Sequence, residues 1–370
     1  MIVRWAVVSL LQARLRMLAS SLAVAAAFTL VFMFRAVWEG ETRQLATYLE
    51  RAGADVWVMQ AGVSNVHMAS SFVGRAKRRE VESVEGVRAA AAVLYLNSMV
   101  TFSGQRWFCY IVGIEPGQRL GAPWAMAEGR SQVQPGEVVV PGVLARVSGV
   151  GLGGSVKVGD RDLLVVGLSE ETFSATNPVV FVHREDLADL LWLEGYDSCL
   201  LVQANEDTAP GELALRIEAE VDAVEAMTTE ELVESDTALA RQMGTQIIAL
   251  MTGICAALAT LLVGFTMYVH TARLGTELAV LKAMGFQRGH VYLAVVVQSS
   301  LVAASAFGLA LAGTAILASL TRGLATVVAV RLTPGAVLEV AGVGALVAIV
   351  ASLLLARRVA SVEPATVFRT

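Results

Sequence analysis

Residues 276–292 read TELAVLKAMGFQRGHVY and separate two long apolar runs, at about 247–269 and 291–316. A third apolar run covers 17–35 and a fourth 337–356, each long enough to cross a bilayer core. The quoted stretch therefore decides the fold: it is the charged return between two spans of a membrane chain. Leu274, Leu278, Leu281 and Met284 recur at helical spacing and make one apolar stripe, with Glu277 and Lys282 off it. Gly285 can take the left-handed conformation at the stop, and Phe286 can pack back on the last turn. The loop is thus expected to be a short capped helix joined to two spans, able to pass force from a soluble partner into the membrane. A plain solvated extension of the preceding span is the simpler alternative.

Composition agrees with a lipid-solvated chain. Of 370 residues, 55% are hydrophobic and 16% charged, against about 25% charged in soluble domains. The net charge of -5 and the lack of a basic stripe with interleaved aromatics argue against nucleic acid as a partner. Arg4, Arg14 and Arg16 precede the first run, as they would in a signal peptide. That run exceeds the roughly 7–15 residues of a signal-peptide core and has no clean cleavage site, so it reads as a retained helix. Arginine and lysine cluster before the first run, within 270–290 (Arg273, Lys282, Arg288) and after the fourth (Arg357, Arg358, Arg369). By the positive-inside rule both termini and the quoted loop face the cytoplasm.

The expected layout is an α-helical membrane protein with four transmembrane helices (1 + 3) and a large extracytoplasmic α+β domain between helices 1 and 2. In order, an amphipathic interfacial helix at 1–16, anchored by Trp5, leads to span 17–35 and the domain with its stalk at 36–246. Span 247–269, the loop 270–290 and span 291–316 follow. A short outer loop at 317–336, span 337–356 and a cytoplasmic tail at 357–370 complete the chain.

Within 36–246 the character changes to short Val-rich strands bounded by Gly, Pro, Asp or Asn. ADVWVM (54–59), AAAVLYLN (90–97), RWFCYIVGI (106–114), GEVVVPG (136–142), PVVFVH (178–183) and SCLLVQA (198–204) read as strands, and SVKVGDRDLLVVGL (155–168) as a hairpin turning at GDRD. Segments 76–87, 184–193 and 209–224 read as helices, and TTEELVESDTALARQMG (228–244) as a stalk helix continuous with the second span or as an exposed surface helix. Cys109 and Cys199 fall in apolar strand patterns. An extracytoplasmic location permits a disulfide between them, and buried free thiols fit the same patterns.

Catalytic signatures are missing. GVGLGGSVKVGD (149–160) lacks the Gly-Lys-Ser/Thr ending of a phosphate loop, and the four histidines have no metal spacing. The adjacent His67 and Met68 are too little for a haem site, and Ser70-Ser71 has no His and Asp context. Glu339 is the one ionisable candidate in a span and falls near its outer end, where it is wet.

The residues resemble a known family. ELAVLKAMGF (277–286), followed by a glutamine-containing membrane helix, is similar to the permease motif of the MacB/FtsX-type (type VII) ABC transporters. The 1 + 3 layout, GEVVVPGVLARVSGVGLGGSVKVGDRDLLVVGL (136–168) and the ending ARRVASVEPATVFR with Pro364 resemble the family's domain arrangement, core domain and closing segment. ADVWVMQAG and TELAVLKAMGF look closest to the DevC/HrtB-like branch.

The resemblance implies a permease half-transporter of the bacterial inner membrane, not an enzyme, with no cofactor on this chain. It implies a homodimer working with two copies of a separate ATP-binding cassette ATPase that holds ATP and Mg. A membrane-fusion protein is a further partner in such systems, and membrane lipid is the surrounding solvent. Leu274, Glu277, Leu278, Leu281, Lys282, Gly285 and Phe286 then form the helix seated on the ATPase. The substrate class implied is amphipathic or hydrophobic (lipid, haem, drug or peptide), extruded from the outer leaflet or periplasm by mechanotransmission. The alternative is an FtsX-like mechanotransmitter that transports nothing and regulates an extracytoplasmic hydrolase. A sensor or adhesion protein fits less well, because three helices follow the domain with no kinase or linker module.

Overall fold

The computed structural model describes residues 2–12, 14–67, 69–174, 178–273, 288–324 and 333–360. The chain forms two compact units, one built on residues 40–243 and the other on residues 1–39 with the helices after 244.

In the 40–243 unit, one strand organises everything else. β3 (Val87–Phe102) follows β1 (Val56–Gln60), the two-residue β2 (Val73–Gly74) and α3 (Arg75–Glu82). Its first half, to Val93, pairs antiparallel with β11 (Cys199–Ala204), and its second half, from Leu94, pairs with β4 (Gln105–Ile114). Outside β11 lies β1, and outside β1 lies β12 (Val224–Thr228), both antiparallel. With α3 and α6 (Pro210–Glu220) joining these strands, the order β12-β1-β11-β3 is that of a split β-α-β, ferredoxin-like sheet.

The second half of β3 belongs to a closed ring. β4 pairs parallel with β9 (Val179–His183), β9 antiparallel with β6 (Glu137–Pro141), and β6 parallel with β8 (Arg161–Ser169). β8 then pairs with β7 (Ser155–Val158), and β7 returns to β3 at Val100–Phe102. This small barrel is inserted between β3 and β11 of the ferredoxin-like sheet, and closure leaves its strands no free edge. The short β5 (Met126–Gly129) adds to β8, and α4 (Gly142–Ser148) and α5 (Arg184–Leu191) follow β6 and β9.

Two turns are set by local chemistry. The β3–β4 hairpin turns on Ser103-Gly104, both at positive φ, as a two-residue turn of matching twist requires. The β7–β8 hairpin turns on Gly159-Asp160, with Gly159 at φ +61.

Side-chain alternation then makes three cores. Ala91, Val93 and Tyr95 of β3 point to one face with Trp57, Cys199, Leu201, Tyr110, Val112, Val139 and Phe181. Ala90 and Ala92 point the other way, under α3 and α6, with Val56, Val58, Leu200, Leu213 and Ile217. Leu94 enters the barrel with Val100, Cys109, Ile111, Val138, Val165 and Val180. Each large apolar side chain fully buried contributes about 1.5–3 kcal/mol.

The sheet face of the first core is covered by the end of α2 (Arg14–Arg51), whose Tyr48 is 2% exposed, and by the start of α7 (Thr229–Arg273). Tyr48 meets the rings of Trp57, Tyr110, Trp124 and Phe181 at centroid distances of 5.5–6.4 Å and donates to the Gly121 carbonyl at 3.3 Å. Gly121, at φ +75, must lack a side chain: a Cβ would lie 2.8 Å from Leu201 and 2.9 Å from Val93.

The barrel end is fastened by a buried ion pair. Arg184 and Asp197, each 2% exposed, bond at 2.5 Å, and Arg184 also donates to the Tyr196 carbonyl at 2.9 Å. This holds β10 (Tyr196–Asp197), which pairs with β2, to the root of α5.

The other unit contains α1 (Ile2–Gln12), residues 14–39 of α2, the C-terminal part of α7, α8 (Arg288–Leu324) and α9 (Pro334–Ala360). Its interior joins Val24, Phe28 and Phe32 of α2 to Cys255 of α7, Val302, Ala306 and Ala310 of α8, and Val340 of α9. Small residues let the helices approach: a Cβ on Gly344 would lie 3.3 Å from the Phe28 ring, and one on Gly313 3.3 Å from Thr29. Ser21 and Ser305 hydroxyls bond at 2.7 Å, and Arg35 pairs with Glu339 at 3.0 Å. Leu15, Leu18, Leu22 and Leu30 of α2 face outward.

Among the described residues, 17–51 and 292–320 are helical, long and apolar enough to cross a membrane, while 249–262 and 334–346 are shorter apolar helical stretches. α2 continues as helix past residue 35 to Arg51, where Tyr48 and Leu49 enter a buried core. Likewise α7 is one helix of 45 residues.

Candidate functional site: the helices around the 270–290 loop and the clasp on α7

The residues expected to form the docking helix, Leu274, Glu277, Leu278, Leu281, Lys282, Gly285 and Phe286, lie outside the described residues. What the structure shows is their frame. α7 ends at Arg273 before them, and α8 begins at Arg288 after them.

α8 carries a buried amide. Gln298 is 3% exposed, and its Nε2 donates to the Ala6 carbonyl at 3.2 Å and to Ser9 Oγ at 3.0 Å, both on α1. Ala6 and Ala294 are buried together beside Val297. The N-terminal helix, expected to lie at the interface, is therefore packed on α8.

At the other end of α7 sits a second polar contact. Asp236 accepts from His67 Nδ1 at 2.8 Å through one oxygen and from the Val66 amide at 3.1 Å through the other. The His67 ring stacks on Tyr110 at 5.2 Å, and its carbonyl accepts from Asn97 at 3.2 Å. Tyr95 donates to the Ala69 carbonyl at 3.1 Å. The loop after β1 is thereby clasped between the sheet and the first turns of α7. Burial, with the neighbouring Tyr95, Tyr48, Cys199 and Asp236, raises the Tyr110 hydroxyl well above its usual range, so it stays protonated.

Cys109 and Cys199 are free and buried, and no disulfide joins them. They lie on strands on either side of β3, Cys199 opposite Val93 and Cys109 opposite Ser98. Two strand spacings and five residues of register separate them by roughly 20 Å, against the 4.4–6.8 Å Cα separation a disulfide needs. Burial pushes the Cys109 thiol up to about 12, and raises Cys199 as well. Among the described residues no group of three or more His, Cys, Asp or Glu side chains could hold a metal ion.

Sequence reasoning noted the glutamine of the helix after the loop only as part of the family motif, without a partner, and did not single out Asp236. The first had a signal, since an amide in an apolar helix needs a partner. The second had none, because the His67–Asp236 contact joins residues 169 apart.

Among the described residues, two helices long and apolar enough to cross a membrane lie in a unit packed through small residues, and a split α+β unit accompanies it. Residues 17–220 match the MacB-like periplasmic core domain, and residues 249–364 match the FtsX-like permease C-terminal domain. The chain belongs to this MacB/FtsX-type family, the transmembrane component of ABC-type systems. The periplasmic region of MacB from Actinobacillus actinomycetemcomitans is similar at 9% identity and TM-score 0.39, over 52% of this chain and 97% of that one. The extracellular domain of the noncanonic ABC-type transporter YknZ from Gram-positive bacteria is similar at 13% identity and TM-score 0.37, over 47% and 99%. No curated protein matches the chain.

Proposed function

We propose that this chain is the permease subunit of an ABC exporter of the DevC/HrtB-like branch. In this reading it dimerises, binds two copies of a separate ATPase through residues 274–286, and extrudes an amphipathic or hydrophobic substrate from the outer leaflet or periplasm. ATP and Mg are held by the ATPase, and a membrane-fusion protein is a further partner. In this reading four spans cross a bacterial inner membrane, with both termini and residues 270–290 on the cytoplasmic side.

The observation that carries the reading is the match to both family domains across 17–220 and 249–364. Two features support it. α7 runs unbroken from Thr229 to Arg273, so one helix connects the clasp at Asp236 with the head of the loop. On α7, Ile247, Met251, Ile254, Leu258, Leu261 and Phe265 face outward at alternating spacings of four and three, the seam of a helix that meets its counterpart in a second copy.

The test reconstitutes the full chain with its cognate ATPase in lipid nanodiscs. Glu277→Arg and Gly285→Trp are expected to lower permease-stimulated ATP hydrolysis on the order of tenfold, while insertion and yield stay unchanged. Full stimulation in both variants rules out the docking assignment.

A further inference from the structure

An amide in an apolar helix is costly unless its protons are paired, because lipid offers no substitute for water. Gln298 solves this across the chain: its partners Ala6 and Ser9 are 292 and 289 residues away. Around the bonds, Ala6 at 0% and Ala294 at 2% exposure leave no room for lipid between the helices. Ser9 Oγ also reaches the Ala6 carbonyl at 3.4 Å, so one turn of α1 gathers on one amide. Val3, Arg4 and Val8 stay exposed on α1.

Position gives this contact its meaning. α8 is the helix that leaves the 270–290 loop, and Gln298 lies ten residues after its start at Arg288, about 15 Å along the axis. We infer that Gln298 is a positioning residue that locks α1 to the head of α8, so that the two helices move as one body. Any displacement of the chain emerging from the loop is then carried into the N-terminal helix. α1 thus becomes a second moving part of the cytoplasmic face, tied to the head of α8. The consequence for ATP turnover rests on the exporter reading; the lock itself does not.

The test uses the full chain with Ala6→Cys and Ala294→Cys, reconstituted with the ATPase and oxidised with copper phenanthroline. The pair is expected to cross-link readily, and Gln298→Leu to slow cross-linking about tenfold through loss of two buried hydrogen bonds. Ser9→Ala, which removes one bond and adds no bulk, slows it less and covers the case in which the leucine variant inserts poorly. Cross-linking with Gln298 intact leaves ATPase stimulation unchanged if the helices are one body. Equal cross-linking rates in all three backgrounds overturn the lock. Stimulation lost on oxidation and restored by reductant overturns the shared motion. If the reduced chain never stimulates the ATPase, the exporter reading fails, and the cross-linking rates still decide the lock.

Discussion

The 40–243 unit and the helical unit differ in what they leave outside and in how much polar and small surface they enclose. In the first, Trp57, Phe181, Ile111 and Leu201 are fully enclosed between sheet faces, helices and a closed barrel. In the second, Phe28 and Phe32 are enclosed together with small and polar residues, Ala306, Ala310, Ser21, Thr314 and Gln298, while Leu22, Leu30, Leu338 and Leu346 point outward. The difference follows from the solvent. Water drives large apolar side chains inward, whereas lipid solvates leucine as well as a protein core does, leaving close backbone approach and paired polar groups to hold helices together. The same chain therefore uses two stabilising strategies, divided near residues 40 and 243.

The largest expected effect concerns the buried ion pair. Asp197→Ala leaves Arg184 charged and enclosed, and is expected to cost the 40–243 unit about 3–5 kcal/mol. Arg184→Met with Asp197→Leu removes both charges and should recover most of that loss in thermal denaturation of the full chain. A double variant as unstable as the single one would mean that this contact works by shape rather than by charge.

Next comes a reciprocal pair in the helical unit. Ala306→Leu, at a position with 0% exposure, is expected to disrupt packing by about 1–3 kcal/mol, while Leu22→Ala, 65% exposed, should fall within about 0.5 kcal/mol of the parent. Unfolding in detergent or bicelles measures both. The reverse ranking would mean that this unit packs like a water-soluble core.

The smallest effect is chemical. Burial raises the Cys109 and Cys199 thiols, so native protein should react with a soluble disulfide reagent at pH 8 only as fast as it opens, and completely once denatured. Rapid labelling of the native state would place one of these strands at the surface.

Much of this architecture could be read along the chain. The Val-rich segments near β1, β4, β6, β9 and β11 announced themselves, as did the hairpin at Gly159-Asp160. Each buries most of a short apolar run, and local pattern suffices for that. β2 and β10 are two residues long, too short to carry a period. β5 is an exposed MAEG, and β12 is an edge strand, VEAMT, with one fully buried residue, so 209–224 looked helical right up to the start of β12. β3 was legible only at 90–97, although it spans 87–102, because Asn97, Ser98 and Thr101 dilute its second half. Strand order was not legible at all, since the pairings that define it join distant segments. The candidate site divides in the same way: the leucine stripe at 274–281 is a local pattern, whereas Gln298 and Asp236 matter only through partners far away in sequence.

The insertion of the barrel within β3 and β11 sets an order of assembly. Barrel pairings fall within about a hundred residues of one another, but β1 must wait for β11 and β12, which are made last. Loop closure over such separations is slow, so the barrel is expected to close first and the ferredoxin-like sheet to be completed by the final strand before α7. Completion of the sheet then coincides with the arrival of the helix that Asp236 fastens to it. A chain stopped before residue 224 would carry a complete barrel beside a sheet whose β1 edge has lost its β12 partner, an open edge able to pair with another chain.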